Sequence, residues 1–457
     1  MFDTVVVGGG LGGLVAGVRL QELDLSALVL EKGAEDGGLN NARISGGLIH
    51  LAWGAMDEGR DILRERLETE TDGEIDPVLA DVLADNAGRA IEWIHDLGIA
   101  TQAKSDVIYQ RHALYPHRPG TGRRIRPEFG PDRMITTLYR TFRESGGTIE
   151  LDASVTDLQR DATTGTWTVT YRSGDGSPDK TVTARSVVVA DGGFQANAEL
   201  LSRYVGPNAG LCALRAMTSA TGDGLQMMLA AGAGATGLGR VYGHMVSINA
   251  LVDDEFWPYP ALDKLCLQGA LVARDGALFE HVTSTGVELV TLLARAEDPR
   301  GYAVVFDDDL WNTAGRDNPY NTAVPNPDLV DRGGHFVSAD SLDDLAKELG
   351  VDPAVLSAAV EAHNAQPTRR PITQAPFHAA RVVPGITFTM GGVLVDGDAN
   401  VLTPDRHPIP GLFATGSTVG GVHGGPHGGY VGGLAVAIEL GLVAAESIAQ
   451  ADQKAGA

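Results

Sequence analysis

The N-terminal segment constrains the fold of this 457-residue chain more than any other part of the sequence. Residues 2–7 are apolar and β-branched, which predicts a buried strand, and residues 14–20 have helical spacing. Between them lies a G-x-G-x-x-G turn formed by Gly8, Gly10 and Gly13. Such a turn needs glycine for a tight reversal, for close approach to a pyrophosphate and for packing of the helix on the strand. We therefore expect a dinucleotide here, with its pyrophosphate at the N-terminus of the helix.

A second predicted strand supports this interpretation. Residues 27–30 are apolar and are followed by Glu31, which comes eighteen residues after Gly13. A carboxylate at that place accepts hydrogen bonds from ribose hydroxyls in dinucleotide-binding folds. Because the chain contains 59 glycines, a glycine-rich turn that binds nothing is the alternative. The strand, the helix and the acid together favour nucleotide binding.

Composition argues against several classes of function. The chain has 35 basic and 59 acidic residues, a formal net charge of −24, which argues against nucleic-acid and anionic-membrane partners. It has no run of 18 or more apolar residues, so we expect no membrane span. Cys212 and Cys266 lie in apolar segments, and no C-x-x-C motif occurs, which predicts buried thiols and no metal site. Because a strand begins the sequence, we expect no signal peptide and a cytoplasmic protein.

The order of the predicted elements divides the chain into three parts. Residues 1–235 form the first part of the nucleotide-binding domain, because a buried strand at 186–189 resumes that fold after an insertion. Residues 236–365 contain mixed strands, more aromatic residues and several prolines, and we expect them to form a separate cap domain. Residues 366–457 return to apolar strands and end in a helix over 434–449.

Further motifs follow the N-terminal turn in a specific order. They are Ser45-Gly46-Gly47, Ala190-Asp191-Gly192-Gly193-Phe194, Thr221-Gly222-Asp223-Gly224, Thr389-Met390-Gly391-Gly392 and Ile409-Pro410-Gly411-Leu412-Phe413-Ala414-Thr415-Gly416. With these motifs, which span almost the whole chain, the sequence resembles the fumarate reductase/succinate dehydrogenase flavoprotein family. It is similar in particular to the single-chain branch with 3-ketosteroid dehydrogenases and tricarballylate dehydrogenase.

The resemblance implies an α/β fold, namely a Rossmann-like FAD-binding domain of the glutathione-reductase type with an inserted α+β cap domain. It implies bound FAD, with the cap holding a substrate against the isoalloxazine ring. The start of the last helix would stabilise the negative charge that reduction places near the flavin N1/C2 carbonyl, unless this segment is a simple helix entry. The FAD-binding residues implied are Gly8, Gly10, Leu11, Gly12, Gly13, Glu31, Lys32, Gly38, Asn40, Ser45, Gly46, Gly47, Val155, Ala190, Asp191, Gly192, Asp223, Gly416, Ser417, Gly433, Leu434 and Ala435.

The chain departs from the family at four functional positions. Covalent members carry a histidine where this chain has Asn40, so we expect non-covalent FAD. Fumarate reductases use an arginine as proton donor where this chain has Gly286. They bind the substrate carboxylates through a histidine and an arginine where this chain has Phe388 and His427. Because a buried dicarboxylate without partners is costly, fumarate and succinate are poor candidates.

The ketosteroid dehydrogenases offer a closer chemical analogy. Tyr430 and His427 precede the last helix and are candidates to donate a hydrogen bond to a substrate carbonyl. A phenol or imidazole would then accept the α-proton, and the candidates are Tyr109, Tyr115, His244 and His281. For each of these residues a purely structural role is the alternative, such as an aromatic ring packed under the flavin for Tyr430.

These observations predict a FAD-dependent oxidoreductase that acts on a C–C bond next to a carbonyl, by hydride transfer to or from flavin N5. The expected partners are a fairly apolar cyclic ketone or enone and an unidentified electron acceptor or donor. An amine or alcohol oxidase and a non-catalytic flavin-binding protein are the alternatives. A basic run over residues 111–126 is either a set of solvated arginines or a patch that steers an anionic substrate or a redox partner.

Overall fold

A computed structural model describes residues 1–118, 125–252, 261–315 and 336–456 of the chain. The strands in these ranges are β1 (Phe2–Val7), β2 (Ala27–Leu30), β3 (Thr148–Glu150), β4 (Ala153–Arg160), β5 (Trp167–Ser173), β6 (Lys180–Val189), β7 (Ala213–Leu214), β8 (Ala235–Thr236), β9 (Val241–Ser247), β10 (Ala270–Val272), β11 (Tyr302–Asp307), β12 (Val337–Ala339), β13 (Phe377–Thr389), β14 (Gly392–Val393), β15 (Asn400–Leu402) and β16 (Pro408–Ala414). The α-helices are α1 (Leu11–Glu22), α2 (Arg60–Glu70), α3 (Pro77–Asp96), α4 (Gly130–Glu144), α5 (Ala198–Tyr204), α6 (Asp223–Ala230), α7 (Asp263–Gln268), α8 (Gly286–Ala294), α9 (Asp308–Asn312), α10 (Leu342–Leu349), α11 (Pro353–Asn364) and α12 (Gly433–Gly456).

The main sheet has eight strands and carries the N-terminal glycine turn. Its path runs β15-β16-β6-β1-β2-β3, and the antiparallel pair β4 and β5 extends it beside β6. Strand β1 pairs in parallel with both neighbours, so that Val6 lies opposite Val29 on one side and Val188 on the other. The segments that pair here are apolar and buried, namely residues 5–7 of β1, all of β2 and residues 187–189 of β6, as expected where both faces of a parallel sheet are covered. The predicted Rossmann-like domain is confirmed.

Helices α1 and α12 pack with their backbones in close contact. A Cβ atom on Gly441 of α12 would lie only 2.8 Å from the carbonyl oxygen of Gly12 in α1. By length and composition, helix α12 could cross a membrane. However, 72 % of its most apolar stretch is buried inside the protein. Burial to this extent is typical of a core helix that is hydrophobic on most sides.

The cap contains a six-stranded mixed sheet built around β13. Strand β13 pairs antiparallel with β9, β11 and β12 and parallel with β7. The cap sheet therefore extends to Thr389 and recruits residues 213–214, beyond the boundaries at 236 and 365 that the sequence predicts. An apolar run such as residues 377–389 predicts a strand, but its composition does not reveal which of two sheets the strand joins.

Candidate active site

One cavity lies at the carboxyl ends of the parallel strands of the main sheet. Gly8, Glu31 and Ala190 follow strands β1, β2 and β6, and all three line it. Ligands of open α/β sheets bind at this edge. Tyr242 and His244 of the cap strand β9 also line the cavity, so it lies between the nucleotide-binding domain and the cap.

The glycine turn has the geometry that the motif predicts. Gly8 has a φ of +98°, and a Cβ atom there would lie 2.8 Å from the carbonyl oxygen of Ala190. A Cβ atom on Gly13 would collide with the carbonyl oxygen of Gly8, so this glycine allows helix α1 to pack on the turn. Gly10 lines the cavity, and no atom would lie nearer than 3.7 Å to its Cβ. The N-terminus of α1, which no side chain caps, is therefore open to an anionic ligand.

The carboxylate of Glu31 is buried beside this turn. Its Oε2 accepts the N–H of Gly9 at 2.8 Å, and its Oε1 accepts the N–H of Gly33 at 2.7 Å. A weaker bond of 3.3 Å comes from the N–H of Leu39. An ionised carboxylate has about four acceptor sites, so one is left for a ribose hydroxyl. The ribose contact stays a prediction.

Most of the predicted FAD-binding residues line the same cavity. They are Gly8, Gly10, Leu11, Gly12, Glu31, Lys32, Asn40, Ser45, Gly46, Gly47, Val155, Ala190, Asp191, Gly192, Asp223, Gly416, Ser417, Gly433 and Leu434. Three predicted residues do not line it. Gly13 packs on Gly8, a Cβ atom on Gly38 would lie 2.7 Å from the carboxyl carbon of Glu31, and Ala435 is fully buried within α12.

Two buried acceptors in this cavity fit a ligand that carries hydroxyl groups. Asp191 Oδ2 accepts the N–H of Gly224 at 2.7 Å, whereas Asp191 Oδ1 and Gln195 Oε1 are buried without a hydrogen-bond partner. Burial raises the pKa of Asp191 to about 6. The ribityl and ribose hydroxyls of FAD are donors that such oxygens accept. Together with the open glycine turn and Glu31, these residues fit FAD. Sequence reasoning missed Gln195, because a lone glutamine carries no motif.

Tyr430 lies at the N-terminus of the last helix, as the sequence predicts. Its Oη accepts the N–H of Gly433 at 2.9 Å, which leaves its own proton for another acceptor. Burial raises the pKa of Tyr430, although the bond from Gly433 opposes this shift. The phenol therefore stays protonated at neutral pH and can donate a hydrogen bond into the cavity that it lines.

Aromatic side chains form a wall of the cavity around Tyr430. The ring of Tyr242 stacks on Tyr430 with centroids 4.3 Å apart, and it also stacks on Phe388 at 5.2 Å. The ring of His50 meets Tyr430 edge-on at 5.6 Å and stacks on Trp53 at 4.9 Å. Burial lowers the pKa of His50 to about 4, so this imidazole is neutral at pH 7. The wall is thus aromatic and uncharged.

A histidine–aspartate pair lies beside this wall. His244 Nδ1 is 2.5 Å from Asp263 Oδ2, and Asp263 Oδ1 accepts the N–H of Met245 at 2.6 Å. His244 Nε2 lies 3.4 Å from the Oη of Tyr242. A Cβ atom on Gly286 would collide with the Asp263 carboxyl group, so Asp263 occupies the place next to Gly286 where the resemblance puts the proton-donating arginine. Sequence reasoning named His244 but missed Asp263, which comes from a different element.

Four other predicted catalytic candidates do not line the cavity. The side chain of His427 is 55 % exposed, and its carbonyl accepts the hydroxyl of Thr285 at 2.9 Å. Tyr115 is 47 % exposed. Tyr109 packs behind the aromatic wall, and the ring of His281 hydrogen-bonds a neighbouring threonine. His427 was a candidate because it lies near Tyr430 in sequence, but the turn between them directs its side chain towards the cap surface.

Two arginines line the cavity that sequence reasoning did not assign to it, Arg118 and Arg215. Arg118 belongs to the basic run over residues 111–126, is buried and donates to the carbonyl oxygen of Ile44. Another member of the run, Arg111, is an exposed partner of Asp57 at 2.8 Å. Residues 119–124 of the run lie outside the described residues. The run is therefore divided between the cavity and the surface.

A comparison with protein families decides the identity of the fold. The sequence matches the family described as the FAD binding domain over residues 3–430. The chain belongs to this family. The resemblance, the FAD cofactor and the fold predicted from the sequence are thereby confirmed.

Relatives of this FAD-binding protein agree with the predicted oxidoreductase class. It is 29 % identical over 446 residues to the NADH:fumarate oxidoreductase of Klebsiella pneumoniae, covering 92 % of this chain and 45 % of that protein. It is 24 % identical over 545 residues to the 4-oxocyclohexanecarboxylate 2-dehydrogenase of Sinomonas cyclohexanicum, covering 98 % of this chain and 93 % of that protein. The chain thus spans less than half of the first relative and almost all of the second.

The fold is also similar to that of a solved ketosteroid dehydrogenase. The crystal structure of 3-ketosteroid Δ1-dehydrogenase from Sterolibacterium denitrificans superposes with a TM-score of 0.75 at 19 % identity. The superposition covers 98 % of this chain and 99 % of that one. At this identity the likeness concerns the arrangement of the FAD-binding domain and the cap.

Proposed function

We propose that this FAD-binding protein is an oxidoreductase that removes or adds hydrogen across a C–C bond next to a carbonyl group. One observation carries the proposal: a protonated phenol, Tyr430, and a histidine held by an aspartate, His244 with Asp263, line or adjoin one cavity. When bound, FAD supplies hydride transfer to or from its N5 atom. The protein must then handle the carbonyl oxygen and the α-proton, and these residues suit both tasks.

FAD would be held by the glycine turn, Glu31 and the residues at the start of α12. We propose that it is not attached covalently, because Asn40 occupies the place of the histidine that attaches flavin in covalent members. The Asn40 side chain donates to the carbonyl oxygen of Gly37 at 2.7 Å and accepts the N–H of Arg43. An amide engaged in this way shapes the loop and offers no nucleophile for a covalent bond.

Tyr430 would donate its proton to the substrate carbonyl oxygen. Negative charge develops on that oxygen as the α-proton leaves, and a fixed donor stabilises this charge more than the ground state. The bond from Gly433 holds the phenol in place and increases its acidity. The start of α12 contributes the positive end of its dipole to the same region.

His244 would accept or return the α-proton through Nε2. Asp263 accepts the Nδ1–H and so fixes the tautomer that leaves Nε2 as the acceptor, as an aspartate does in catalytic triads. The same carboxylate stabilises the imidazolium once the proton has been transferred. This pair takes over the task for which fumarate reductases use the arginine that Gly286 replaces.

The aromatic wall favours a flat or cyclic substrate. Phe388 occupies the place of a substrate-binding histidine of fumarate reductases, and it forms part of this uncharged surface. A cyclic ketone or enone fits such a wall better than a small dicarboxylate. The relative from Sinomonas cyclohexanicum is named for dehydrogenation of a cyclic ketone, which supports the same substrate type.

The electron partner stays unidentified, and we propose a cytoplasmic location. Cys212 and Cys266 are free thiols, and burial raises the pKa of both, to about 12 for Cys212. Unreacted thiols suit a reducing compartment, where disulfides are rare. Fractionation of the native cells, followed by immunodetection, tests this location.

Anaerobic mixing with cyclic ketones and enones tests the proposed reaction. Oxidised protein is mixed with saturated ketones and reduced protein with enones, and flavin absorbance is followed in both cases. We expect at least one pair of compounds to bleach or restore the flavin at about 1 s⁻¹ or faster, within the usual range of turnover numbers. Fumarate should be ineffective. The proposal fails if no compound in either series changes the redox state of the flavin.

A further inference from the structure

The cavity contains an arginine, Arg215, that forms no ion pair with any residue in the described part of the chain. Arg215 donates from Nη1 to the hydroxyl of Thr387 at 3.0 Å, and its Nε is buried without a hydrogen-bond partner. Among the residues that the structure describes, no carboxylate lies within ion-pairing distance of Arg215. Burial lowers the pKa of Arg215, and the nearby Tyr242 and Asp263 oppose this shift, so the guanidinium remains charged.

Local strand geometry places Arg215 at the substrate end of the cavity. It follows β7, whose Leu214 pairs with Ile386 of β13, and its own N–H donates to the carbonyl oxygen of Ile386 at 2.7 Å. The pairing of β13 with β9 slips between Ile386 and Phe388, which leaves Thr387 as the extra residue of a bulge. A bulge turns a side chain away from its regular direction, here towards Arg215.

The neighbours of Arg215 distinguish it from a ligand of the FAD pyrophosphate. Its Nη1 binds Thr387, which directly precedes Phe388, and Tyr242 is near enough to influence its pKa, whereas the pyrophosphate is expected at the N-terminus of α1. The acidic residues that line the cavity, Glu31, Asp191 and Asp223, belong to elements of the nucleotide-binding domain. The charge of Arg215 is therefore not balanced by these carboxylates.

We propose that Arg215 binds a carboxylate of the substrate, so that the substrate is a carbonyl compound with a ring or other flat part and one acidic group. That the substrate has a carbonyl group rests on the proposed function, whereas that it has an acidic group does not. A guanidinium whose buried Nε–H has no partner among the described residues matches the planar geometry of a carboxylate. Thr387 keeps the guanidinium oriented before the ligand arrives. The site thus replaces the carboxylate ligands that Phe388 and His427 no longer provide, at a different place in the fold.

The test separates the acidic group from the carbonyl. Protein with reduced FAD, with which saturated compounds do not react, is titrated anaerobically with cyclohexanecarboxylate, 4-oxocyclohexanecarboxylate, other saturated cyclic monocarboxylates and the methyl ester of each. Binding is measured by flavin absorbance changes. We expect each acid that binds to bind at least about 10-fold more tightly than its ester. In Arg215→Gln the affinity for the acid should fall by about 30-fold or more, and the ester should be unaffected, as expected for loss of one partner of a buried charge pair.

Two variants control for folding and for total charge. Arg215→Lys keeps the charge and should retain part of the preference for the acid. Arg300→Gln removes one charge from an arginine whose Nε donates to the carbonyl of Leu211 and which does not line the cavity, and it should keep the full preference. The proposal is overturned if wild-type protein shows no preference for any acid, or if FAD-loaded Arg215→Gln keeps the acid-to-ester ratio of wild type. If acid binding depends on Arg215 but no ketone changes the redox state of the flavin, the carboxylate site stands and only the proposed function is refuted.

Discussion

At the scale of single residues, the chemistry depends on side chains whose protonation the fold controls. Tyr430 keeps its proton because it is buried, and His50 stays neutral for the same reason. His244 is held in one orientation by Asp263. In the proposed reaction, the carbonyl oxygen that gains charge and the carbon that loses a proton would thus meet groups that are fixed before the substrate binds.

Tyr430→Phe should lower the rate of substrate-driven flavin reduction by at least about tenfold. Removal of one donor to a developing oxyanion typically costs about 100- to 1000-fold, and the Gly433 N–H loses its acceptor as well. Stopped-flow absorbance on FAD-loaded protein measures the rate, and the FAD content should be normal. Tyr115→Phe, at a phenol outside the cavity, is the matched control and should react like wild type. Equal rates for both variants would place the carbonyl elsewhere.

Asp263→Asn should lower the same rate by at least about 100-fold while leaving FAD bound. An asparagine of the same shape donates to Nδ1 and so favours the tautomer in which Nε2 no longer accepts a proton. Asp309→Asn, at an exposed carboxylate that pairs with Arg370, is the control and should react like wild type. A rate for Asp263→Asn within about tenfold of wild type would contradict the role of Asp263.

Asp191 should make the stability of the FAD-free protein depend on pH. Its pKa is raised from 3.8 to about 6 by burial, so the folded protein holds this proton more tightly than the unfolded chain. Its stabilising contribution is complete below about pH 4 and is lost as the pH rises through about 6, a loss of roughly 3 kcal/mol at most. Asp191→Asn, which still accepts from Gly224, should therefore melt at a higher temperature than wild type at pH 7 but not at pH 4. Parallel melting curves across this pH range would contradict the assignment.

At the scale of elements, the contact between α1 and α12 holds the two parts of the cofactor site together. The glycine turn precedes α1, and Tyr430 with Gly433 begins α12, so the spacing of these helices sets the width of the cavity. The contact brings the Gly12 and Gly441 backbones together, which larger side chains would prevent. The distance between the glycine turn and the start of α12, where we expect the flavin, therefore depends on helix packing.

Gly441→Ala should destabilise the protein and weaken FAD binding together. The new Cβ would lie 2.8 Å from the carbonyl oxygen of Gly12 and 3.0 Å from the Cβ of Val15, so the helices must separate. Such overpacking costs about 1–3 kcal/mol, which a melting curve and an FAD titration would both reveal. Gly88→Ala in α3, where a Cβ atom meets nothing within 4 Å, should instead stabilise by about 0.5–1 kcal/mol. If both variants shift the melting temperature in the same direction, the close packing of α1 on α12 does not require glycine at position 441.

At the scale of the whole molecule, a nucleotide-binding domain and a cap enclose one cavity from opposite sides. The nucleotide-binding domain supplies the turn, Glu31 and the start of α12, whereas the cap supplies His244, Asp263 and the bulge at Thr387. In the proposed function, substrate specificity would therefore depend on the cap, and cofactor binding on the domain below it. The two functions can change independently, which agrees with a chain that keeps the family's FAD motifs but lacks its dicarboxylate ligands.

The whole protein should release its flavin when it is denatured. Because Asn40 offers no attachment point, acid precipitation should leave yellow FAD in the supernatant and a colourless pellet. Absorbance of both fractions measures this, and a covalently flavinylated protein of the same family serves as the positive control for retained colour. Flavin that stays with the pellet would show attachment through another residue.

The sequence by itself determined the nucleotide-binding half of this protein, because its signals are local. The turn at Gly8, Gly10 and Gly13 needs only adjacent residues to define a strand, a reversal and a helix start, and Tyr430 lies just before the glycine-rich start of the last helix. Only the tertiary structure decided which side chains share the cavity. Asp263 reaches His244, and Arg215 reaches Thr387, through strand pairing and a bulge that no local pattern reveals. For the same reason His427, which is closer to Tyr430 in sequence than His244 is, lies at the surface.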